Sequence, residues 1–265
     1  MRHVATLLVA AGFACAQSGQ TPPRPGWPCV AGRPVDPAFL DASESTGGQL
    51  FMFQRSEAAQ SAAVLTASSH HKATILRIVG NLNGSRDFSF PVDSTVSSLL
   101  VMASIQCRNA VRLSRPNGAE LTAAESASNI DLQAGRIVRI DRPEPGAWSV
   151  RLAGTGMFLL SALATSDIAL NGVSFSGSRS PVYGISQPME MRLSGVASNL
   201  RFQLIDAAGN PLSDPEAPGT APDGAFTAVV TPNTERLRIL VAGTDASALP
   251  FQRVYPILLR AAPAK

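Results

Sequence analysis

The most distinctive chemical pattern in the chain is a DxSxS motif formed by Asp41, Ser43 and Ser45. Carboxylate and hydroxyl oxygens at this spacing are ligands that a divalent cation can use. They bind a cation only if the surrounding elements turn all three side chains toward one point. The elements that carry residues 36–69 therefore decide whether this motif is a metal site.

Nucleophilic catalysis needs a base beside a serine or cysteine, and past the first few residues the histidines are His70 and His71. Adjacent residues on a strand point to opposite faces, so these two cannot jointly orient a serine. The segment "GVSFSG" at 172–177 only approximates the GxSxG turn of hydrolases and lies in a strand-like run. We predict that the chain has no catalytic residue.

Cofactor and metal patterns are equally incomplete. The segment "GTGMF" at 154–158 is a lone GxG in a predicted hairpin turn, without the helix that would hold a phosphate. The segment "DAAGNPLSD" at 206–214 has suitable oxygens but not the EF-hand spacing, and is typical of a turn. Two histidines and two distant cysteines do not suggest zinc. We expect no cofactor-binding or metal-binding residues.

Composition favours a β protein with a sizeable core. The chain has 265 residues, 45% of them hydrophobic, and its 21 glycines and 20 prolines suit short strands joined by turns. The net charge of +3 comes mainly from scattered arginines, such as Arg201, Arg236 and Arg238, which we interpret as lying on solvated faces of strands. This scatter argues against a nucleic-acid partner.

The first residues have the pattern of a secretory signal peptide. Residues 1–16 combine a basic Arg2, an apolar run and an Ala14-Cys15-Ala16 cleavage pattern. We therefore predict a secreted, periplasmic or extracellular protein without a transmembrane segment in its mature chain. Lipidation at Cys15 is an alternative, although Gly12 and Phe13 do not fit its recognition pattern. Residues 17–35 are rich in proline and glycine and are predicted to form a flexible tether.

Residues 36–69 are predicted to form a short helix-strand-helix segment. A helical piece from Pro37 to Ser45 is followed by the apolar run "QLFMF" and an Ala-rich stretch. In that stretch Ser56 can cap a helix that has Glu57 in its first turn.

From residue 70 onward the apolar pattern changes to period two. Residues 70–177 contain eight strand-length runs, which is enough for a β-sandwich or jelly roll. The stretch around 177–184 is predicted to be a hinge. Residues 178–262 contain about six further runs, the size of an immunoglobulin-like or fibronectin-like sandwich. The fold class is thus mainly β, with two consecutive antiparallel sandwiches after a short α/β segment.

Three stretches resemble a known family. "FSFPVDSTVSSLLV", "IVRIDRPEPGAWSVRLAG" and "PFQRVYP" are similar to the region that follows the von Willebrand factor A-type domain in hemicentin-like extracellular proteins. The most telling elements are the turns at Phe90 to Asp93 and Pro143 to Trp148. The resemblance covers about residues 76–256 and implies a galactose-binding-like jelly roll followed by an immunoglobulin-like or fibronectin-like module.

The same resemblance bears on the DxSxS motif. In A-type domains the metal motif follows the first hydrophobic strand, whereas here "DASES" follows "VDPAFL". The next residues, "TGGQLF", resemble the last helix-to-strand passage of such a domain, and the rest of that domain is missing. We therefore expect no metal at Asp41, Ser43 and Ser45, and a helix that ends at Gly47.

These observations predict a non-catalytic interaction or adhesion scaffold whose partner is an unidentified protein or glycan at the cell surface or matrix. The alternative is a carbohydrate-binding or cation-dependent recognition module. Lectin-like sites commonly present exposed aromatic faces, but Trp27 lies in the tether and Trp148 alternates with core residues. No residue therefore identifies a glycan site.

Cys29 and Cys107 are predicted to form one disulfide, with two free thiols as the alternative. Closing a loop of about 80 residues would stabilise the fold by about 4 kcal/mol. Mass analysis of the secreted protein before and after reduction should show a gain of two hydrogens. Two thiols that react with an alkylating agent before reduction would contradict this prediction.

Overall fold

A computed structural model describes residues 35–62, 65–66, 73–176 and 180–263. The predicted signal peptide, Cys29, His70 and His71 lie outside these ranges. The predicted mainly β fold is confirmed, with antiparallel sheets and a short helical segment at the start of the described part. Within the described ranges, no helix is both long and apolar enough to cross a membrane.

The strands fall into two sets along the chain. Helix α1 spans Pro37–Thr46, and short 3-10 helices span Arg55–Gln60 and Ala123–Glu125. The first set consists of β1 Ala73–Val92, β2 Val96–Ser114, β3 Ser128–Leu132, β4 Gly135–Asp141 and β5 Gly146–Ser166. The second set consists of β6 Leu170–Phe175, β7 Gln187–Leu193, β8 Ala197–Ile205, β9 Gly219–Thr220, β10 Phe226–Val230, β11 Arg236–Asp245, β12 Pro250–Val254 and β13 Leu259–Arg260.

The first set forms one antiparallel sheet in the order β1-β5-β2-β4-β3. Its longest strands join runs that the sequence pattern predicts as separate: "ATILRIVGNL" and "RDFSFPV" are both part of β1, and similar pairs make β2 and β5. The polar residues between the runs of β1 are exposed, yet they stay paired with β5, through Gly84 opposite Gly154. Polarity there marks a bend and not the end of a strand.

The long β1–β5 ribbon folds back on itself to make the two layers of a sandwich. Phe88 lies opposite Val150, and Phe158 lies opposite Gly80, so the two rings belong to ladder positions eight residues apart. In a straight ribbon these positions would be about 26 Å apart, but the ring centroids of Phe88 and Phe158 are separated by 5.5 Å. The two halves of each long strand therefore enclose one core, which includes Leu99, Val101, Ile105, Trp148, Val150, Leu160 and Ala162.

The second set forms two sheets that pack on a shared core. One sheet has the order β6-β7-β10-β9, and the other has β12, β11 and β13 with β8 paired to β11. The predicted alternation is confirmed along β8, where Leu200, Phe202 and Leu204 are buried. On β11 the apolar Leu237, Ile239 and Val241 are buried as predicted, but Arg238 between them is buried too. The core contains Met189, Met191, Leu200, Phe202, Leu204, Leu237, Ile239, Val241 and Phe251.

The boundary between the two strand sets lies earlier in the chain than the sequence pattern predicted. The run "IALNGVSFSG" was expected in the first sandwich, but it contains β6, which pairs with β7 of the second set. The predicted hinge around 177–184 therefore connects two strands of one sheet, and the N–H of Tyr183 in it donates to the carbonyl of Ala262 at 2.8 Å. Alternation shows which residues face a core but not which core, so the run could not be placed from sequence.

The segment before the first set covers its sheet. Helix α1 begins after Asp36, whose side chain accepts from the N–H of Ala38, and ends as predicted at Gly47 with a φ of 73°. The apolar run that follows is extended but makes no strand pairing within the described ranges. Its Phe51 and Phe53 pack on residues of the first sheet, which include Leu100, Met102, Ile137 and Leu163.

The helix that leads into the Ala-rich stretch begins two residues earlier than predicted. Gln54, and not Ser56, is the N-cap of the 3-10 helix, and its N–H donates to the Glu57 carboxylate at 3.1 Å. Glu57 also accepts from the N–H of Gln133 at 2.7 Å, which attaches this helix to the turn between β3 and β4. The local bond between Gln54 and Glu57 caps the helix, and the bond from Gln133 holds it against the first set.

Gly154 is the position where the fold-back of the ribbon demands glycine. A Cβ there would lie 2.3 Å from the carbonyl oxygen of Cys107, and the φ of 153° is unfavourable for other residues. Gly154→Ala should lower the free energy of unfolding by about 2 to 3 kcal/mol, measured by denaturant titration. Gly172→Ala is the matched control, because a Cβ there meets nothing within 4 Å. Equal stabilities of the two variants would contradict this account of the bend.

Candidate functional site

The DxSxS motif lies on α1, and its side chains do not converge. The Ser43 hydroxyl donates to the carbonyl of Leu40 at 2.9 Å, and the Ser45 hydroxyl donates to the carbonyl of Ala42 at 3.2 Å. Both hydroxyls therefore bond to their own helix. Over the described ranges, no group of three or more histidine, cysteine, aspartate or glutamate residues is placed to hold a metal ion.

Asp41 points away from the two serines and toward the second set of strands. Its Oδ1 lies 2.8 Å from Nη2 of Arg236 on β11, and its Oδ2 contacts Arg260 on β13. Arg236 and Arg260 are cross-strand partners, so one carboxylate joins both strands to α1. The acidic residue of the motif is thus used in ion pairs.

Glu44, which the sequence analysis did not single out, is the central residue of this region. It is 1% exposed and lies between one arginine from each set of strands. Its Oε1 accepts from Nε and Nη2 of Arg77 on β1 at 3.0 and 2.8 Å, and its Oε2 accepts from Arg238 on β11. A single buried carboxylate therefore links α1 to both sets.

Arg77 also binds the end of α1. Its Nη1 donates to the carbonyl of Gly47 at 3.3 Å, and its Nη2 donates to those of Ser43 at 3.3 Å and Gly48 at 2.6 Å. The last carbonyls of a helix have no partner within the helix, and a cation there is also favoured by the helix dipole. Arg77 is therefore well supplied with acceptors in addition to Glu44.

Arg238 is less well supplied, and the sequence interpretation of it was wrong. It was expected on a solvated strand face, but it is 0% exposed, and its Nε and Nη1 have no hydrogen-bond partner among the described residues. Burial lowers the pKa of Arg238 to about 10; Glu44 opposes this shift and Arg77 adds to it. The covering of β11 by α1 buries both faces of the strand at this point, which a local pattern cannot reveal.

A second buried ion pair joins Asp93, at the turn after β1, to Arg253 on β12. Both side chains are 0% exposed, and Nη2 of Arg253 lies 2.7 Å from Oδ2 of Asp93. The remaining nitrogens of Arg253 donate to the carbonyls of Ile168 and Gln252, and Nη2 also donates to the Ser166 hydroxyl, each at 2.7 Å. This pair fixes the connection between the two sets, because Ile168 lies in that connection.

Asp245 on β11 forms the reciprocal contact with the first set. Its Oδ2 accepts from the N–H and the hydroxyl of Ser94 at 2.8 and 2.6 Å, and its Oδ1 accepts from the N–H groups of Ser247 and Leu249. Burial alone would raise the pKa of Asp245, but the hydrogen bonds from Ser94, Leu249 and Ser247 outweigh it and hold that pKa below its usual value. The turn after β1 is thus bound by one acidic and one basic residue of the second set.

Further contacts cover the outer edge of β1. The N–H of Val79 donates to the carbonyl of Ala207 at 2.8 Å, and the Gln252 amide donates to the carbonyl of Ile75 at 2.9 Å. The "DAAGNPLSD" segment supplies Ala207, and in it Asp206 accepts from both the backbone and the side chain of Asn210. This segment is a turn, as predicted, and it protects an edge strand from other pairing.

The other candidates occupy ordinary structural positions. Trp148 is buried as predicted, and its indole N–H donates to the carbonyl of Glu144 at 2.8 Å. The "GTGMF" segment, predicted as a hairpin turn, instead lies inside β5 at the bend of the ribbon. Cys29 is not among the described residues, so its bridge to Cys107 stays a prediction. The described charged residues can fix the relative orientation of the two strand sets, which is an electrostatic and mechanical role.

Residues 72–167 match the family model described as hemicentin galactose-binding domain-like. This match confirms the galactose-binding-like part of the resemblance seen in the sequence, while the A-type tail and the immunoglobulin-like or fibronectin-like module stay predictions. A search of curated proteins gave no match.

Several solved structures show limited likeness. The chain is 14% identical to the Bacillus licheniformis lipase BlEst2 in its propeptide form, with a TM-score of 0.35. The alignment covers 69% of this chain and 40% of the lipase. A DUF4785 family protein from Legionella pneumophila is 12% identical, with a TM-score of 0.40. The alignment covers 75% of this chain and 67% of that protein. Bacteroides uniformis β-glucuronidase 3 is 5% identical, with a TM-score of 0.23. The alignment covers 66% of this chain and 27% of the glucuronidase. Likeness at this level establishes no shared function.

The contacts between the two strand sets made by Glu44, Asp93 and Asp245 are called the junction. Removal of the Asp245 charge should weaken the junction in a pH-dependent way. Asp245→Asn is expected to lower the free energy of unfolding at pH 7 by about 1 to 3 kcal/mol. Because the folded state holds this pKa low, the contribution is fully present above the unfolded value of about 3.9 and is lost progressively as pH falls from there through the lowered folded-state value. Denaturant titrations at pH 7, 5 and 3 should therefore show equal deficits at pH 7 and 5 and a smaller deficit at pH 3.

Asp214→Asn, at an exposed loop position, is the control and should change stability by less than about 0.5 kcal/mol at each pH. A deficit of Asp245→Asn that stays the same at all three pH values would show that the aspartate charge is not responsible.

Proposed function

We propose that the protein is a secreted, non-catalytic interaction scaffold in which the two strand sets act as one rigid unit while α1 is docked on both. The observation that carries this proposal is the fully buried Asp93–Arg253 ion pair between the sets. Breaking a buried pair leaves an uncompensated charge, so such a pair strongly resists separation of its partners. Fixed orientation suits a protein that presents loops and edges to a partner.

The galactose-binding-like match supports a role in binding. Residues 72–167 belong to a type of domain whose description refers to a ligand, and this fits recognition better than chemistry. Fold likeness alone does not assign a function, so the support for a non-catalytic role comes from the site. The chemically capable residues at the junction, such as Asp41 and Glu44, are engaged in ion pairs.

Two sheet edges and one end of the second set offer contact surfaces. Within the described ranges, β3 and β6 each pair with a neighbour on one side only, which leaves backbone groups that a partner strand can use. Tyr183, Ile185 and Val229 are exposed apolar or aromatic residues of the second set, and the N–H of Gly184 donates to the carbonyl of Pro232, which follows β10, at 2.8 Å. These features support binding through loops and edges.

A carbohydrate-binding or cation-dependent recognition module is the second candidate. The family description of residues 72–167 favours the sugar. Independently of that match, Tyr183 in the second strand set is an aromatic side chain that is 46% exposed. Sugar rings pack on exposed aromatic faces, so Tyr183 is the residue to test. For a cation, the described residues give no comparable support.

A partner screen and a ligand screen on the mature protein, beginning at Gln17, separate these candidates. The scaffold proposal predicts that the protein captures a defined partner from the outer surface of the producing cell. It also predicts a blank glycan array and a melting temperature that calcium and magnesium leave unchanged. Heat-denatured protein is the control for the capture.

A sub-millimolar glycan signal that Tyr183→Ala abolishes would replace the scaffold proposal with the carbohydrate one. A saturable rise in melting temperature with calcium or magnesium would favour cation-dependent recognition, because a ligand of the folded state raises its midpoint.

A further inference from the structure

Two buried arginines share one carboxylate at the junction. Arg77 and Arg238 are 3% and 0% exposed, they come from different strand sets, and both contact Glu44. The group therefore carries a net positive charge that water does not screen. Like charges repel strongly where the dielectric constant is low, so Arg77 and Arg238 can lie together only while Glu44 stands between them.

The hold of α1 on the second strand set depends mainly on charge. The fully buried residues of α1 are Ser43 and Glu44; Phe39 is exposed, and Leu40 is partly buried against the cluster of the first set that contains Leu50 and Met52. Its other attachments include the half-exposed pairs of Asp41 and the backbone contact from the N–H of Leu258 to the carbonyl of Glu44 at 2.8 Å. Surface ion pairs are weak, and Leu40 is the one large apolar residue of α1 that packs on a described core, so the contact of α1 with the second set can be lost.

We propose that α1 controls the contact between the two strand sets through the charge of Glu44. With α1 docked, Glu44 neutralises the repulsion between Arg77 and Arg238, and the sets close on each other. With α1 withdrawn, the two guanidinium groups repel and the junction opens near them. The lowered pKa of Arg238, to which the Arg77 charge contributes, agrees with this repulsion.

The opening is a rotation and not a separation. The Asp93–Arg253 pair and the Ser94–Asp245 contact do not involve α1, so they keep the turn after β1 attached to the second set. The contact between Val79 and Ala207 lies two residues along β1 from Arg77, and it is expected to open first.

Amide hydrogen exchange of the full chain, measured by NMR, tests this mechanism at the Val79 N–H. Glu44→Gln should speed exchange at Val79 by about tenfold or more, while amides of the β2 core change by less than about threefold. Adding Arg238→Met should restore slow exchange, because Arg77 still has the carbonyls of Gly47 and Gly48 as acceptors. Adding Arg151→Met, which removes an exposed arginine of β5, is the matched control and should restore nothing.

A role of Glu44 in packing alone would make Arg238→Met add to the damage, and that result would overturn the proposal. Asp41→Asn provides a milder variant if Glu44→Gln does not fold, since it weakens α1 only through exposed pairs. It should speed Val79 exchange by about threefold in the wild-type background and have no effect beside Arg238→Met. An equal effect of Asp41→Asn in the wild-type and Arg238→Met backgrounds would contradict the proposed control by charge. These outcomes do not depend on whether the protein has the proposed scaffold function.

Discussion

A charge buried between two β units must be paired across the boundary, and this constraint organises the whole molecule. Glu44 and Asp93 are carboxylates without access to water, and each meets an arginine that belongs to the second strand set. Because the cost of an unpaired buried charge is several kcal/mol, the two sets cannot move apart freely. The edge of β1, the connection at Ile168 and the position of α1 all follow from this pairing.

The same constraint explains the sequence stretches that carry the family resemblance. The turn ending in Asp93 and the strand containing Arg253 are two of those stretches, although 160 residues separate them, and they meet as an ion pair. The third stretch folds its turn around the indole N–H of Trp148. Of these stretches, those within the matched residues 72–167 contribute Asp93 to the contact between the two sets and close a turn on the first core.

Local patterns predicted the elements better than they predicted the pairing of elements. The alternation along β8 and the helix end at Gly47 depend on near neighbours, so the sequence was sufficient for them. The fold-back at Gly154 and the burial of Arg238 depend on contacts with distant parts of the chain, which no local period encodes. Glu44 was missed for the same reason: its partners lie 33 and 194 residues away.

The ionisable residues between the strand sets serve the architecture, and their buried pairs should make the two β units behave as one cooperative body. Differential scanning calorimetry of the full chain tests this claim most directly. A cooperative body predicts one transition, for which the calorimetric and van't Hoff enthalpies agree. Two resolved transitions, one for each strand set, would contradict it.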